Sequence, residues 1–341
     1  MKLARLKIGR LILQLWLEFW RKADAYFVRR AKRAFHITDM ILTGIGDEAA
    51  NGIDGQIQAT RELGWKHLEP RGMEVPGHAK ANFHDIPDAA FALAVRKLKE
   101  AGIQPYCFGS TIMNWAKTVE TPFDVTLSEV KRAIPRMKRV GAQYIRIMSF
   151  KPGDDEFKIP IKVFERVREV TKMFLDEGLQ PVHENCMNYG GMSWQHALEL
   201  LEQCPGLKWV FDTANPIFNP DRSKPKPWPK QNPWEFWEHI RDHVVHIHIK
   251  DATWNPARND ADYNWPGDGK GRVRDILQDA FTHGYDAGIS IEPHMVVVFH
   301  DAQSKTSNEE AMQKNFVEYG RRLEKLIAEI KAQPKATGVS A

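Results

Sequence analysis

Long apolar runs are missing from this chain of 341 residues. The most hydrophobic stretch near the N-terminus, LILQLWLEFW (Leu11 to Trp20), is interrupted by Gln14 and Glu18 and is much shorter than the roughly 20 residues of a bilayer span. Cysteine is scarce as well. Cys107, Cys186 and Cys204 are odd in number and lack CxxC spacing, which argues against a disulfide framework or a zinc knuckle and points to a reducing, cytoplasmic setting. Neither GxGxxG nor GxxxxGK[ST] follows the first strand pattern, so the usual nucleotide readings of an open α/β sheet lose support. Basic charge is concentrated at one end: residues 1–34 hold ten Lys or Arg against Glu18 and Asp24, a net +8, which leaves −4 for the remaining 307 residues. An acidic body of this kind gives no reason to expect nucleic-acid binding.

What is present divides into three parts. Residues 1–38 read as a basic amphipathic extension: a peripheral helix, a helix that touches a membrane surface or partner, or an export signal. Residues 39–333 form the main domain, and 334–341 a flexible tail. Within the domain, short apolar runs alternate with helical patterns. MILTGI, KHLEP, QPYCFGS, AQYIRIMSF, LQPVHEN, LKWVFD, HVVHIHIKD and AGISIEP are eight strands, separated by helices expected at 52–63, 87–101, 127–140, 161–177, 193–203, from 233, and 272–282, with a last helix at 308–331. Most of these strands lack a polar face, so the pattern predicts a (β/α)₈ TIM barrel with an extra N-terminal basic amphipathic helix; a doubly wound sheet is second. Two long strand-to-helix connections, 215–232 and 252–271, are rich in Trp and Pro and would lie on the C-terminal face as substrate walls or lids.

The ends of the last four strands carry His183-Glu184, Asp212, His248 and Glu292-Pro-His294. Carboxylates gathered at one buried rim repel one another unless a cation is shared, so Glu184, Asp212, His248 and Glu292 are expected to hold a divalent metal. Three oxygen donors and one imidazole favour Mn²⁺, with Mg²⁺, Co²⁺ or Zn²⁺ possible. His246 shares the face of His248, about 6.6 Å away along the strand, and lies one layer deeper as its support.

These motifs, in this order, make the chain from about Asp39 to Lys331 resemble the xylose isomerase-like TIM-barrel superfamily, the sugar phosphate isomerase/epimerase group. WPGDGKGRV (Trp265 to Val273) is similar to the family's Gly-rich segment. The resemblance implies the same four metal ligands, and it implies that Glu184 and Glu292 act as acid and base on a carbohydrate through an enediolate, giving an isomerase or epimerase. Positions that hold substrate in the ketose 3-epimerases are Gly190, Asn215 and Trp254 here, so that branch is demoted; the endonuclease branch lacks support from the acidic body. A lyase or dehydratase acting on a keto-sugar or 3-keto-glycoside is the alternative, with His183 and His294 as base or leaving-group acid. A non-catalytic barrel subunit is the third reading.

The substrate-binding candidates are Arg146, Glu69, His246, Trp115, Trp254 and Lys250. Arg146 either orients a substrate oxygen or pairs with Glu69, and Lys250 is read as turned outward from His248 unless the strand twists. Trp228, Trp234, Trp265 and Tyr189 would add aromatic faces for a bulky carbohydrate. No Arg/Lys clamp for a phosphate is visible after strands seven and eight. A homo- or hetero-oligomer is possible.

Overall fold

A computed structural model describes residues 40–296 and 309–333. The N-terminal extension and the tail therefore lie outside the described residues.

Among the described residues eight parallel strands alternate with eight longer helices, and a one-turn helix, Asn215–Phe218, follows the sixth strand. The strands are β1 (Ile41–Gly44), β2 (His67–Leu68), β3 in two pieces (Gln104–Pro105 and Cys107–Phe108), β4 (Tyr144–Ile147), β5 (Gln180–Glu184), β6 (Lys208–Asp212), β7 (Val244–Ile249) and β8 (Gly288–Ile291). The helices are α1 (Ile53–Glu62), α2 (Asp88–Ala101), α3 (Phe123–Val140), α4 (Ile161–Asp176), α5 (Trp194–Gln203), α6 (Pro233–Ile240), α7 (Val273–Thr282) and α8 (Glu309–Ala332). Seven strands pair in sequence from β3 through β8 to β1. The ring closes because the amide of Glu69 donates to Gly44 O at 2.9 Å, that of Gly46 to Glu69 O at 3.0 Å, and β2 pairs with Gln104–Pro105. The result is a TIM barrel.

Strand parity sorts the side chains. Val182 and Val210 point inward, one layer beneath Glu184 and Asp212, and pack with Cys107 against Tyr106 and Tyr144. Odd-numbered neighbours face the helices: Phe211 lies 5.8 Å from Phe236 and 5.4 Å from Trp237, both on α6. Two glycines are needed for close approach. A Cβ at Gly44 would stand 2.4 Å from the Phe316 ring of α8, and one at Gly288 would stand 2.2 Å from the Tyr106 ring inside the barrel.

Three local features depart from the sequence reading. Helix α3 begins at Phe123 rather than 127, because Pro122 sets an extended N-cap four residues earlier. The connection after β2 carries a hairpin, Gly72–Val75 with His78–Asn82. The one after β7 carries another, Asp251–Asn255 with Asp260–Asn264, so the stretch 252–271 is a folded wall. Asp251 pins the following Gly-rich turn by accepting from the amides of Gly267, Gly269 and Gly271 at 2.8–2.9 Å.

Candidate metal centre and cavity

Register brings the four proposed ligands to one level. His248 sits opposite Asp212 on β6, Glu184 ends the neighbouring β5, and the amide of Glu292 donates to Ile249 O at 3.0 Å just beyond β8. Ligand atoms of Glu184, Asp212, His248 and Glu292 all lie within 4.8 Å of one another, and all four residues are buried.

Each candidate ligand is anchored by its neighbours. Glu184 Oε2 accepts from Arg146 Nη1 at 2.8 Å, and its Oε1 faces His248 Nδ1 at 3.2 Å. Asp212 spends Oδ1 on the amides of Ala214 and Asn215 at 2.9 and 2.7 Å, while buried Oδ2 accepts no hydrogen bond and lies 3.0 Å from Lys250 Nζ. Glu292 Oε1 accepts from Arg71 Nη1 at 2.5 Å, and its Oε2 accepts from Lys250 Nζ at 3.1 Å. His248 turns Nε2 to Glu69, at 3.1 and 3.2 Å, so that Nδ1 faces the other ligands. A carboxylate behind a ligating imidazole fixes its orientation and raises its basicity.

Six carboxylates, Asp47, Glu48, Glu69, Glu184, Asp212 and Glu292, are buried around this point. Three strong bases, Arg71, Arg146 and Lys250, pair with all of these except Glu69, which faces the two histidines. Lys80 adds a 4.0 Å contact to Asp47 from a partly exposed position, and imidazolium groups, protonation or a cation offsets the remaining excess of buried carboxylate. Titration follows the same logic. Burial would lower the His248 imidazole, but Glu69 and Glu184 lift it to about 10. Burial likewise favours protonated Glu184, yet Arg146 and the His248 hydrogen bond hold it near 2. Burial prevails at Asp212 and raises it to about 6 against the pull of Lys250. Three carboxylates and one imidazole within reach of one another, with Asp212 Oδ2 buried and without a hydrogen bond, fit a divalent ion.

Glu184 and Glu292 line a cavity of about 350 Å³ together with Arg146, Lys250, Arg71 and His294, while Asp212 and His248 do not line it. Trp115, Phe218 and Met148 give it apolar walls. His294 is gripped twice by Glu48, which accepts from its amide at 3.0 Å and pairs with Nδ1 at 2.8 Å; its Nε2 is 3.8 Å from Glu292 Oε1.

Several expected contacts are placed elsewhere. His183 faces the helices, not the cavity, because it alternates with Glu184: its ring lies 4.6 Å from Trp209 and its Nε2 meets Ser149 Oγ at 3.0 Å. Lys250 points inward, since two residues along a strand return to the face of His248; the outward assignment is corrected. Arg146 pairs with Glu184 instead of Glu69. Glu69 and His246 join below the centre, Nε2 to Oε2 at 2.7 Å, and neither lines the cavity. Trp254 packs on the Ala214–Ile217 cluster, with Lys230 Nζ 3.7 Å from its ring. Trp228, Trp234 and Trp265 stack with Arg222, Arg272 and Arg322, and Tyr189 bonds to Glu156, so the aromatic wall reduces to Trp115 and Phe218. Asp47, Glu48 and Arg71 escaped the sequence reading, although GDE follows the first strand and Arg71 follows Glu69-Pro70 on the same rim.

Fold and site thus define a TIM barrel with a buried carboxylate and imidazole quartet at its C-terminal mouth. Residues 57–322 match the xylose isomerase-like TIM barrel family, and the chain belongs to it. No curated protein matches the sequence. Among solved structures, a xylose isomerase-like TIM barrel protein from Mycobacterium smegmatis in complex with magnesium shares 16% identity and a TM-score of 0.57, covering 86% of this chain and 98% of its own. IOLI protein with a bound zinc atom shares 15% at TM-score 0.62, covering 86% and 100%. The probable 3-DHS dehydratase AsbF of Bacillus anthracis shares 14% at 0.59, covering 81% and 97%.

Proposed function

We propose that the chain is a divalent-metal-dependent enzyme that moves a proton beside a carbonyl of a carbohydrate, as a sugar isomerase or epimerase working through an enediolate. The convergence of Glu184, Asp212, His248 and Glu292 on one point, with Glu184 and Glu292 reaching the cavity, supports this reading. The magnesium and zinc of the structural neighbours agree with a divalent ion, and the three carboxylates with one imidazole put Mn²⁺ first among the choices. Bound there, such an ion supplies Lewis-acid polarisation of a carbonyl and its neighbouring hydroxyl.

The chain's own groups then have defined tasks. Arg146 and Arg71 keep Glu184 and Glu292 ionised and fixed in orientation. Each carboxylate oxygen has two lone pairs, so an oxygen held by a guanidinium still has a site for a substrate proton. Trp115 and Phe218 offer apolar faces to the C–H patches of a sugar ring. His294, oriented by Glu48, adds a further proton-transfer group at the rim. That observation favours a second reading, elimination from a keto-sugar or 3-keto-glycoside, which needs an acid for the leaving group.

Incubating the metal-loaded protein with ketoses and 3-keto-glycosides in D₂O separates these outcomes by NMR. Deuterium in an intact epimer or isomer supports the first reading, and release of water or an aglycone supports the second. Absence of both exchange and release across the panel, with the ion bound, would overturn the enzymatic proposal.

A further inference from the structure

Lys250 bridges two of the four candidate ligands. Its ammonium contacts Asp212 Oδ2 at 3.0 Å and Glu292 Oε2 at 3.1 Å, and the latter oxygen lies 3.9 Å from His248 Nδ1. A divalent ion binds such oxygens at about 2.0–2.2 Å, and its charge repels an ammonium held on the same pair. Repulsion between the two cations on one pair of oxygens favours withdrawal of the lysine when the ion binds. The lysine has somewhere to go: it lines the cavity, and the Phe218 ring, 5.9 Å from Nζ, also lines it. Its backbone is held meanwhile, because the Lys250 amide donates to Thr213 Oγ1 and the next residue, Asp251, is tied to the Gly-rich turn.

We propose that Lys250 and the divalent ion alternate on Asp212 and Glu292, so that ion binding drives the Lys250 ammonium into the cavity, where it holds an oxygen of the substrate. This rests on the reading of the quartet as a metal site. Through the exchange, the carboxylates keep a positive partner before the ion arrives, and the substrate meets an ammonium only when the ion is in place. Lys250 thereby becomes a substrate-orienting residue that acts in the loaded protein alone. Arg146 and Arg71 do not move in the exchange, since each holds the opposite oxygen of its carboxylate.

The test compares full-length wild-type protein and Lys250→Met by calorimetric titration with Zn²⁺ at one pH, alongside a crystal structure of the Zn²⁺-loaded wild type. The expected results are binding in both proteins, an affinity at least about tenfold tighter in Lys250→Met because a competing charge is gone, and a lysine Nζ displaced from Asp212 and Glu292 toward Phe218. Equal or weaker affinity in the variant overturns the proposal. So does a loaded wild-type structure with Nζ still bridging both carboxylates, a result that stands even if the variant does not fold. Failure of wild-type protein to bind Zn²⁺ instead removes the metal reading on which the proposal rests.

Discussion

Replacing Glu69 by Gln tests how the centre is supported from below. Glu69 is fully buried, and its carboxylate faces His246 Nε2 at 2.7 Å and His248 Nε2 at 3.1 and 3.2 Å. Gln keeps the volume, so no cavity opens; it removes one negative charge and one of two acceptor oxygens. Hydrogen bonds to a charged group contribute about 1.5–3 kcal/mol each, so two amount to roughly 3–6 kcal/mol. Part of this is offset because a neutral amide is cheaper to bury than a carboxylate, and the net loss of stability should be about 2–4 kcal/mol at pH 7. The same change frees the His248 ring to rotate, which should weaken divalent-ion binding by about 10- to 100-fold. Urea unfolding and calorimetric titration with Zn²⁺ measure the two effects. A stability loss below about 0.5 kcal/mol together with unchanged Zn²⁺ affinity would refute the idea that Glu69 fixes His248.

Two other substitutions probe the frame around the site. Burial depresses His183 to about 3, only partly opposed by Glu184, so the unfolded chain binds the extra proton between about pH 6.5 and 3 and stability falls as pH drops through that window. Between pH 6.5 and 5 this group should cost about 2 kcal/mol, and His183→Gln should lose that much less stability than wild type over the interval; parallel unfolding curves at the two pH values would contradict it. Gly269→Ala would place a Cβ 2.3 Å from Asp251 Oδ1 and 2.8 Å from Ala252 N, and should destabilise by about 1–3 kcal/mol in urea unfolding.

Much of the centre was legible because it obeys strand parity. VHE, VFD and HIH each carry a period of two that turns the last residue inward, and in a TIM barrel strand ends converge on one face. Parity also exposes two misreadings: His183 cannot share a face with Glu184, and Lys250 must share one with His248. The charges Asp47, Glu48 and Arg71 were harder to find, because they stand on connections beyond the strands, where no periodicity indicates direction. Arg71 touches Asp47, Glu48 and Glu292, residues 24, 23 and 221 positions away, and only the closed ring brings them together. The tryptophans misled for a related reason. Placed on long connections, they read as substrate walls, yet in the folded hairpin and turns they stack on Arg and Lys side chains.

Direct metal analysis bears most closely on the proposed chemistry. Purified full-length protein, equilibrated with Mn²⁺ or Zn²⁺ and freed of excess ion, should retain one divalent ion per chain, while Asp212→Asn and His248→Gln, shown to be folded by circular dichroism, should lose it. Wild-type protein that retains no divalent ion, or folded variants that both keep it undiminished, would contradict a metal centre built from Glu184, Asp212, His248 and Glu292.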